Sequence, residues 1–545
     1  MAYRARLTDY FCQHDRGWVL SLFALVCAIY LPFLGNQFFF DDRSFFLTGA
    51  AEASMNSWLD LRLRWLPYAS FGTLYSVFSA ELPHVYRLAD MLLHGINTVL
   101  LFYFLRHLIG AVQGQGNETA VTVRGAWFGA LVFALHPVAA FAAGYVIQIS
   151  ILMATTFALL MLLAYLRGLL SGERRWFAFA VLAYFLACFS KEHSVLMPAV
   201  LAAMGLLVRT EKRVSWHVVG LTWAAFIAIA LLVTLRARGV LGSPYEPLAA
   251  QLFAQQGIDD STPILHLLSA LTQAGLFFKY LLLWILPDPM QMSIDMRESF
   301  IDSVSSWRGW LGGAAFVLYG ALGISLLLRG GKRGLAGFAM LYPWLLFWVE
   351  MVGIRMQEPF VLYRSYLWMP GTMVLIPLAL EKLSKRKAML AMAGLAILLA
   401  ALSWGRLRIF SDNYRLWNEA ATLLKSEQAI GADRIYFNRG QAEMDAKNWE
   451  DAIADFRRAA AISPQVGPTH YLLGLALLNS GHPEEALAQF DIAIALNPED
   501  GRVYYSKGFL LKVLHRDKEA MQQMEQGCKL GNKMACVIVS MSGRQ

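Results

Sequence analysis

The stretch GQAEMDAKNWEDAIADFRRAAAISP at residues 440–464 is echoed 34 positions later by GLALLNSGHPEEALAQFDIAIALNP at residues 474–498. Gly440, Ala452, Phe456 and Pro464 fall in register with Gly474, Ala486, Phe490 and Pro498. The register continues at Gly508 and Ala520, although the closing proline is missing there. Small residues at fixed phases let two helices cross at close range, and proline ends the second of them. A pair built this way buries its apolar face only by stacking on a neighbouring pair. The sequence therefore predicts three stacked helical hairpins, over about 433–466, 467–500 and 501–534.

A period of 34 residues with small side chains at these phases is the tetratricopeptide signature. Tyr414 and Trp417, just upstream, read as an N-terminal capping helix. Such arrays present a curved surface to other proteins, so docking is the default role. Cys528 and Cys536 lie together in the last repeat. They form a bridge if that side of the membrane is oxidising, or two buried small hydrophobes on adjoining helices if it is not.

Working outward toward the N-terminus, the composition changes. Hydrophobic residues make up 57% of the 545, and apolar runs long enough to cross a bilayer recur from Trp18 to Trp404. Spans are expected at 18–34, 89–108, 125–136, 146–166, 176–190, 194–208, 216–235, 309–328, 336–353, 366–380 and 388–404, about 11 in all. Ile264 to Leu286 is apolar enough to span as well, but Lys279 within it and acids around it favour an interfacial helix in an external loop. The division is thus a polytopic membrane domain at 1–408 and a repeat domain at 409–545.

Residues 431–545 hold 13 Lys+Arg against 14 Asp+Glu, a net of −1, whereas the whole chain is at +8. The positive excess belongs to the membrane part, where it suits anionic lipid and gives no reason to invoke nucleic acid. Basic loops at Arg167/Arg174/Arg175, Arg209/Lys212/Arg213, Arg329/Lys332/Arg333 and Lys382/Lys385/Arg386/Lys387 share one side when the N-terminus is cytoplasmic. An odd number of spans then puts the repeats outside.

The first external loop, from Gly35 to about Leu88, is long and rich in ionisable groups: Asp41, Asp42, Arg43, Asp60, Arg62, Arg64 and Arg87. Loops of that length are often functional. The Asp41-Asp42 pair can accept a proton and hold a cation or a second donor, which is what attack by a weak hydroxyl nucleophile requires. Capping of a following helix is the plain alternative. Other polar groups fall at predicted external span ends: His136-Pro137, Ser190-Lys191-Glu192-His193, and Arg355-Met356-Gln357-Glu358 leading to Tyr363-Arg364-Ser365-Tyr366. Cations at that depth can clamp a phosphate, and a carboxylate can orient an acceptor or balance charge. Singly, each is explained as well by an ion pair, a helix-end histidine or a snorkelling anchor.

The ordered set resembles a family. Phe40-Asp41-Asp42 is followed by Tyr86-Arg87-Leu88-Ala89-Asp90-Met91-Leu92-Leu93-His94-Gly95-Ile96-Asn97, by Phe133-Ala134-Leu135-His136-Pro137-Val138 and by Phe189-Ser190-Lys191-Glu192, with the repeat array last. This is similar to the transmembrane-and-tetratricopeptide O-glycosyltransferases, whose bacterial relatives include type IV pilin glycosyltransferases. The resemblance implies an all-α GT-C membrane domain followed by the repeat solenoid, in a bacterial inner membrane with periplasmic repeats. It implies a polyprenyl-phosphate-linked sugar as donor and Ser or Thr of an exported protein, such as a pilin, as acceptor. It assigns the base role to Asp41 with Asp42 as neighbouring acid, and makes Lys191 and Glu192 site residues. Arg64, Arg87, His136, Arg355 and Arg364 complete the expected donor-phosphate set, with a divalent cation left open. Where eukaryotic members have His-Thr-Glu, this chain has Ala139-Ala140-Phe141, so no particular sugar is implied.

Two other classes compete. A non-enzymatic membrane scaffold for envelope or pilus assembly explains the repeats equally well but leaves the external acids and bases unused. A transporter predicts ionisable groups deep within spans, and here most lie at span ends.

Overall fold

A computed structural model describes residues 15–47, 49–55, 57–58, 60–79, 82–113, 120–208, 214–237, 263–355 and 358–542. The basic loop Arg209/Lys212/Arg213 and residue Gln357 lie outside the described residues. Helices and loops make up the described chain, which divides into two compact units. One is 1–292 with 300–412, and the other is 293–299 with 413–545.

Among the described residues of the first unit, eight helical segments are long and apolar enough to cross a membrane: Arg16–Phe33, Pro83–Gln113, Val146–Ser171, Trp216–Arg236, Pro263–Ile285, Trp307–Leu328, Gly331–Val352 and Lys385–Ile409. A ninth is a broken pair, Thr122–Leu135 with Pro137–Ala143, bent by 62°. The break has a local cause. Pro137 has no N–H to continue the helix and disfavours helical geometry at the preceding residue, so His136 turns extended and its ring nitrogen accepts the Val138 N–H instead.

The span expected at 176–190 is covered by one helix of 17 residues, Arg174–Ser190, whereas two others take other forms. That at 194–208 shortens to 11 residues, Met197–Leu207, after a tight 3-10 turn at Glu192–Leu196. The one at 366–380 breaks into Leu362–Leu367, Met369–Thr372 and Leu375–Leu380, each new piece opening near a proline or a tight turn. Pro83–Gln113 departs in the other direction. Its 31 residues rise about 46 Å, more than a hydrocarbon core of roughly 30 Å needs.

The helix Pro263–Ile285 is gripped along one face by the segment after Gly331–Val352. Ser269 donates to the Gly353 carbonyl at 3.2 Å, Gln273 to that of Pro359 at 2.9 Å, and Trp284 to the Ser365 hydroxyl at 3.3 Å. Tyr280 accepts the Val361 N–H at 2.8 Å. Spacings of four, seven and four place these side chains on one helical stripe, so residues 353–355 and 358–365 lie beside the helix for most of its length.

The second unit is the repeat array. Helices Ala432–Asp445 and Trp449–Ile462 form the first hairpin, Gly467–Asn479 and Pro483–Leu496 the second, Gly501–Val513 and Asp517–Lys529 the third. The periodic residues meet as their spacing requires. A Cβ on Gly440 would fall 2.9 Å from the Phe456 ring, and one on Gly474 2.6 Å from the Phe490 ring. At the third repeat Met524 takes the place of phenylalanine opposite Gly508. Ala452, Ala486 and Ala520 are buried between them. The expected cap is present as Asn413–Thr422, which buries Trp417 but leaves Tyr414 at the surface. Cys528 and Cys536 form a disulfide that ties the last helix, Lys533–Ser542, to the third hairpin.

Residues 293–299, far upstream in sequence, also belong to this unit. Arg297 donates to the Ile430 carbonyl at 3.1 Å, and the Asp295 carboxylate accepts from Arg297 at 2.7 Å and from Arg434 at 2.9 Å.

Candidate active site

Three consecutive phenylalanines fix the first external loop. Phe38 stacks on Phe46 at 4.5 Å, and Phe39 stacks on Tyr145 at 4.9 Å. Phe40 takes a left-handed backbone, φ 50°, which turns the chain into the short helix Asp41–Leu47. That turn gives the two acids different surroundings. Asp41 is exposed, and its N–H donates to the Tyr145 hydroxyl at 3.2 Å. Asp42 is fully buried, and one of its oxygens accepts the Ile147 N–H at 2.8 Å. Burial lifts the Asp42 carboxyl to about 7, with Asp41 adding to the rise and Arg87 and the Ile147 N–H opposing it.

Arg87 holds the loop rather than offering an open phosphate clamp. Its three guanidinium nitrogens donate to the carbonyls of Asn36 at 3.0 Å, Gly144 at 2.6 Å and Gln37 at 2.6 Å. Asp90, one turn further along the same helix, is buried with neither carboxylate oxygen hydrogen-bonded within the protein. His136 is likewise committed. One ring nitrogen accepts the Val138 N–H and the other lies 3.2 Å from the Trp284 carbonyl, so this residue secures a helix break. Both residues therefore depart from their expected donor-phosphate role.

The second half of the site is built where Arg174–Ser190 ends. Lys191 is extended and 5% exposed; its ammonium lies 3.4 Å from the Ser150 hydroxyl and 5.6 Å from the centre of the Tyr363 ring. Tyr363 in turn packs on Tyr145 at 6.2 Å. Asp41 and Lys191 thus sit at two ends of one aromatic wall, Tyr145 and Tyr363. Burial lowers Lys191 to about 7, and the neighbouring charges of Arg64 and Arg364 push the same way against Glu192 and Glu350.

Beyond Lys191 the charged side chains link into a network. Arg64, held in a left-handed conformation before the helix Trp65–Phe78, makes a two-point ion pair with Glu192. Burial opposes charge on the Glu192 carboxylate, but Arg64 and His193 overcome it and hold the group well below the usual carboxylate range. His193 lies 3.0 Å from Glu350, whose other oxygen takes Arg355 at 2.8 Å and Arg364 at 3.1 Å. Glu358 approaches Arg364 at 3.8 Å. While Lys191 is protonated, below about pH 7, four cations (Arg64, Lys191, Arg355, Arg364) face three carboxylates (Glu192, Glu350, Glu358), an excess of one positive charge that disappears when Lys191 is neutral. That surplus matches a singly charged phosphodiester.

Glu350 and Tyr145 are not among the residues that the sequence marks, and Tyr363 enters there only within the run that contains Arg364. Glu350 was findable, being a carboxylate near the end of an apolar helix, where ionisable groups are costly and usually serve a function. The tyrosines carry no such signal, since aromatic residues gather at every membrane interface. Among the described residues, no set of three or more His, Cys, Asp or Glu side chains is placed to hold a metal ion.

Two tetratricopeptide-repeat families match the chain, over residues 443–508 and 417–466. No curated protein matches. Similar solved structures include MamA, at 18% identity over 29% of this chain and 85% of that one, with a TM-score of 0.21. Another is the Cut9–Hcn1 hetero-tetramer of the APC/C, at 12% identity over 92% of this chain and 91% of that one, with a TM-score of 0.23. The period of 34, the buried Gly–Phe contacts and the two family matches agree that the C-terminal region of this chain is an array of tetratricopeptide repeats.

Proposed function

We propose that the chain is an inverting membrane glycosyltransferase of the GT-C type, which moves a sugar from a polyprenyl-phosphate donor to Ser or Thr of an exported protein such as a pilin. The observation that carries this reading is the pairing, across the Tyr145–Tyr363 wall, of an exposed carboxylate with a buried basic group whose net charge is +1 while Lys191 is protonated. Asp41 takes the proton of the acceptor hydroxyl as its oxygen bonds to the anomeric carbon from the face opposite the phosphate. The bond from that carbon to the phosphate oxygen breaks, and its electron pair leaves with the polyprenyl phosphate, which gains a second negative charge. Lys191, Arg355 and Arg364 stabilise that charge. A preorganised donor of this kind commonly contributes about 3 to 4 kcal/mol to the transition state.

In this reading the chain crosses a bacterial inner membrane about 11 times, the expected spans at 194–208 and 366–380 being completed by the turns and loops next to the short helices Glu192–Leu207 and Met369–Leu380. Pro263–Ile285 lies at the outer interface, and the repeats lie in the periplasm and hold the acceptor. A disulfide between Cys528 and Cys536 supports an oxidising compartment for the repeats. A membrane scaffold that recruits envelope proteins shares the repeats but gives the Asp41 and Lys191 groups nothing to do. The deciding experiment is intact-mass measurement of exported proteins from cells with and without this gene. The proposal expects a fixed sugar increment on at least one protein, lost with the gene. Unchanged masses across the exported set would leave the scaffold.

A further inference from the structure

Tyr145 is sealed among rings, with Phe39 at 4.9 Å, Phe40 at 6.4 Å and Tyr363 at 6.2 Å, and its side chain is fully buried. Its hydroxyl nevertheless reaches the exposed acid of the loop. The Asp41 N–H opens the short helix Asp41–Leu47, where no carbonyl of that helix can accept it, and it donates to the Tyr145 hydroxyl at 3.2 Å. A phenol has one proton to give and lone pairs to receive, so this contact leaves its own proton available. The Asp41 side chain takes that proton as a hydrogen bond. Burial above all, then the charges of Asp41 and Asp42, hold the phenol well above the usual tyrosine range, so it stays a donor. One hydroxyl thus grips Asp41 at two points, backbone and side chain.

We propose that Tyr145 is the positioning residue for the base: it accepts the Asp41 N–H, donates to one carboxylate oxygen, and leaves the other oxygen to face the acceptor hydroxyl. The inference rests on the reading of Asp41 as the base. A hydrogen bond given to a carboxylate favours its charged form. Asp41 therefore remains ionised, and able to take a proton, to a lower pH than it would without Tyr145. The charged groups around the pair are Asp42 and Arg43 next in the chain, Arg87 facing Asp42, and Lys191 over the Tyr363 ring. All of them stay in place when only the phenol oxygen is removed.

Carbodiimide labelling of the full-length protein across pH tests this without any substrate, because the reagent modifies a carboxyl group when it is protonated. Peptide mass spectrometry reads Asp41 and, as an internal reference, Asp60, an exposed acid of the same loop. Tyr145→Phe keeps the ring and removes the hydroxyl. It is expected to raise the labelling midpoint of Asp41 by about one pH unit and to leave that of Asp60 unmoved. 3-Fluorotyrosine at position 145, a stronger donor, is expected to lower the Asp41 midpoint. Transfer onto the exported protein whose mass depends on this gene, measured in membranes with their own lipid-linked sugars, is the second readout. Its acid limb is expected to rise with the labelling midpoint in Tyr145→Phe, while the alkaline limb set by Lys191 stays. An Asp41 midpoint that is the same in all three proteins, or one that moves together with Asp60, overturns the inference and leaves the base assignment untouched. A midpoint that moves while the acid limb of transfer does not overturns it from the other side, by removing Asp41 as the base.

Discussion

Asp41 and Asp42 are adjacent in the chain but one faces solvent and the other is sealed against Ile147 and Arg87, and this difference divides their tasks. The exposed acid is the one an acceptor hydroxyl can reach. Asp41→Asn keeps size and removes basicity, so transfer should fall on the order of 100-fold or more at matched protein level. Asp42→Asn keeps an acceptor for the Ile147 N–H and should leave partial activity. A normal rate in Asp41→Asn beside a dead Asp42→Asn would move the base by one residue. Lys191 makes a separate prediction. Its amine is lowered to about 7, so it is charged below that pH and neutral above. Donor affinity, read as KM, should therefore weaken as pH rises from about 6 to about 8. Lys191→Gln should bind donor poorly at every pH in that window. A wild-type KM that does not change with pH would show that Lys191 does not meet the phosphate.

At the scale of elements, the repeats rest on contacts that a single added side chain can break. Gly474→Val puts a branched side chain where even a Cβ would fall 2.6 Å from Phe490. Overpacking of this kind typically costs 1 to 3 kcal/mol. The expected outcome is earlier thermal unfolding of the repeat region, and an unshifted melt would show that the two helices can part freely. These contacts were legible because Gly, Ala and Phe recur with one period, the Gly and Ala positions being read three times and Phe twice. The long apolar spans were legible for a similar reason, many residues reporting one property. The stretch 366–380 was not, because its mostly apolar run reads as one span while Pro370 and Pro377 shape its local turns and breaks. Nor was the joining of residues 293–299 to the repeats, which rests on Asp295 meeting Arg434, a pairing of distant positions with no periodic mark. In the candidate site the acids and bases were visible as costly residues at span ends. Their partners were not: that Arg87 serves three carbonyls, or that Glu350 gathers two arginines, depends on folds of the chain between them.

For the whole molecule, the proposed reaction needs the repeats on the side where Asp41 is exposed, because an exported acceptor must meet both. A reporter enzyme active only after export, fused after Ser411, should therefore be active; activity of a cytoplasmic reporter there would remove the docking role. The stronger prediction concerns division of labour. A chain ending at Asp412 lacks every repeat helix but retains Asp41, Lys191, Arg355 and Arg364. It should bind the polyprenyl donor and glycosylate a short Ser/Thr peptide at high concentration, while transfer to the intact acceptor protein is lost. The truncation also strips Asp295 and Arg297 of their partners in the repeat unit, so the full-length Asp295→Asn variant is the control. If that variant modifies the intact acceptor normally, the loss on truncation belongs to the docking surface. If the truncated chain modifies the intact acceptor as fast as the full chain does, the repeats have another purpose, and recognition of the acceptor lies in the external loops around Asp41.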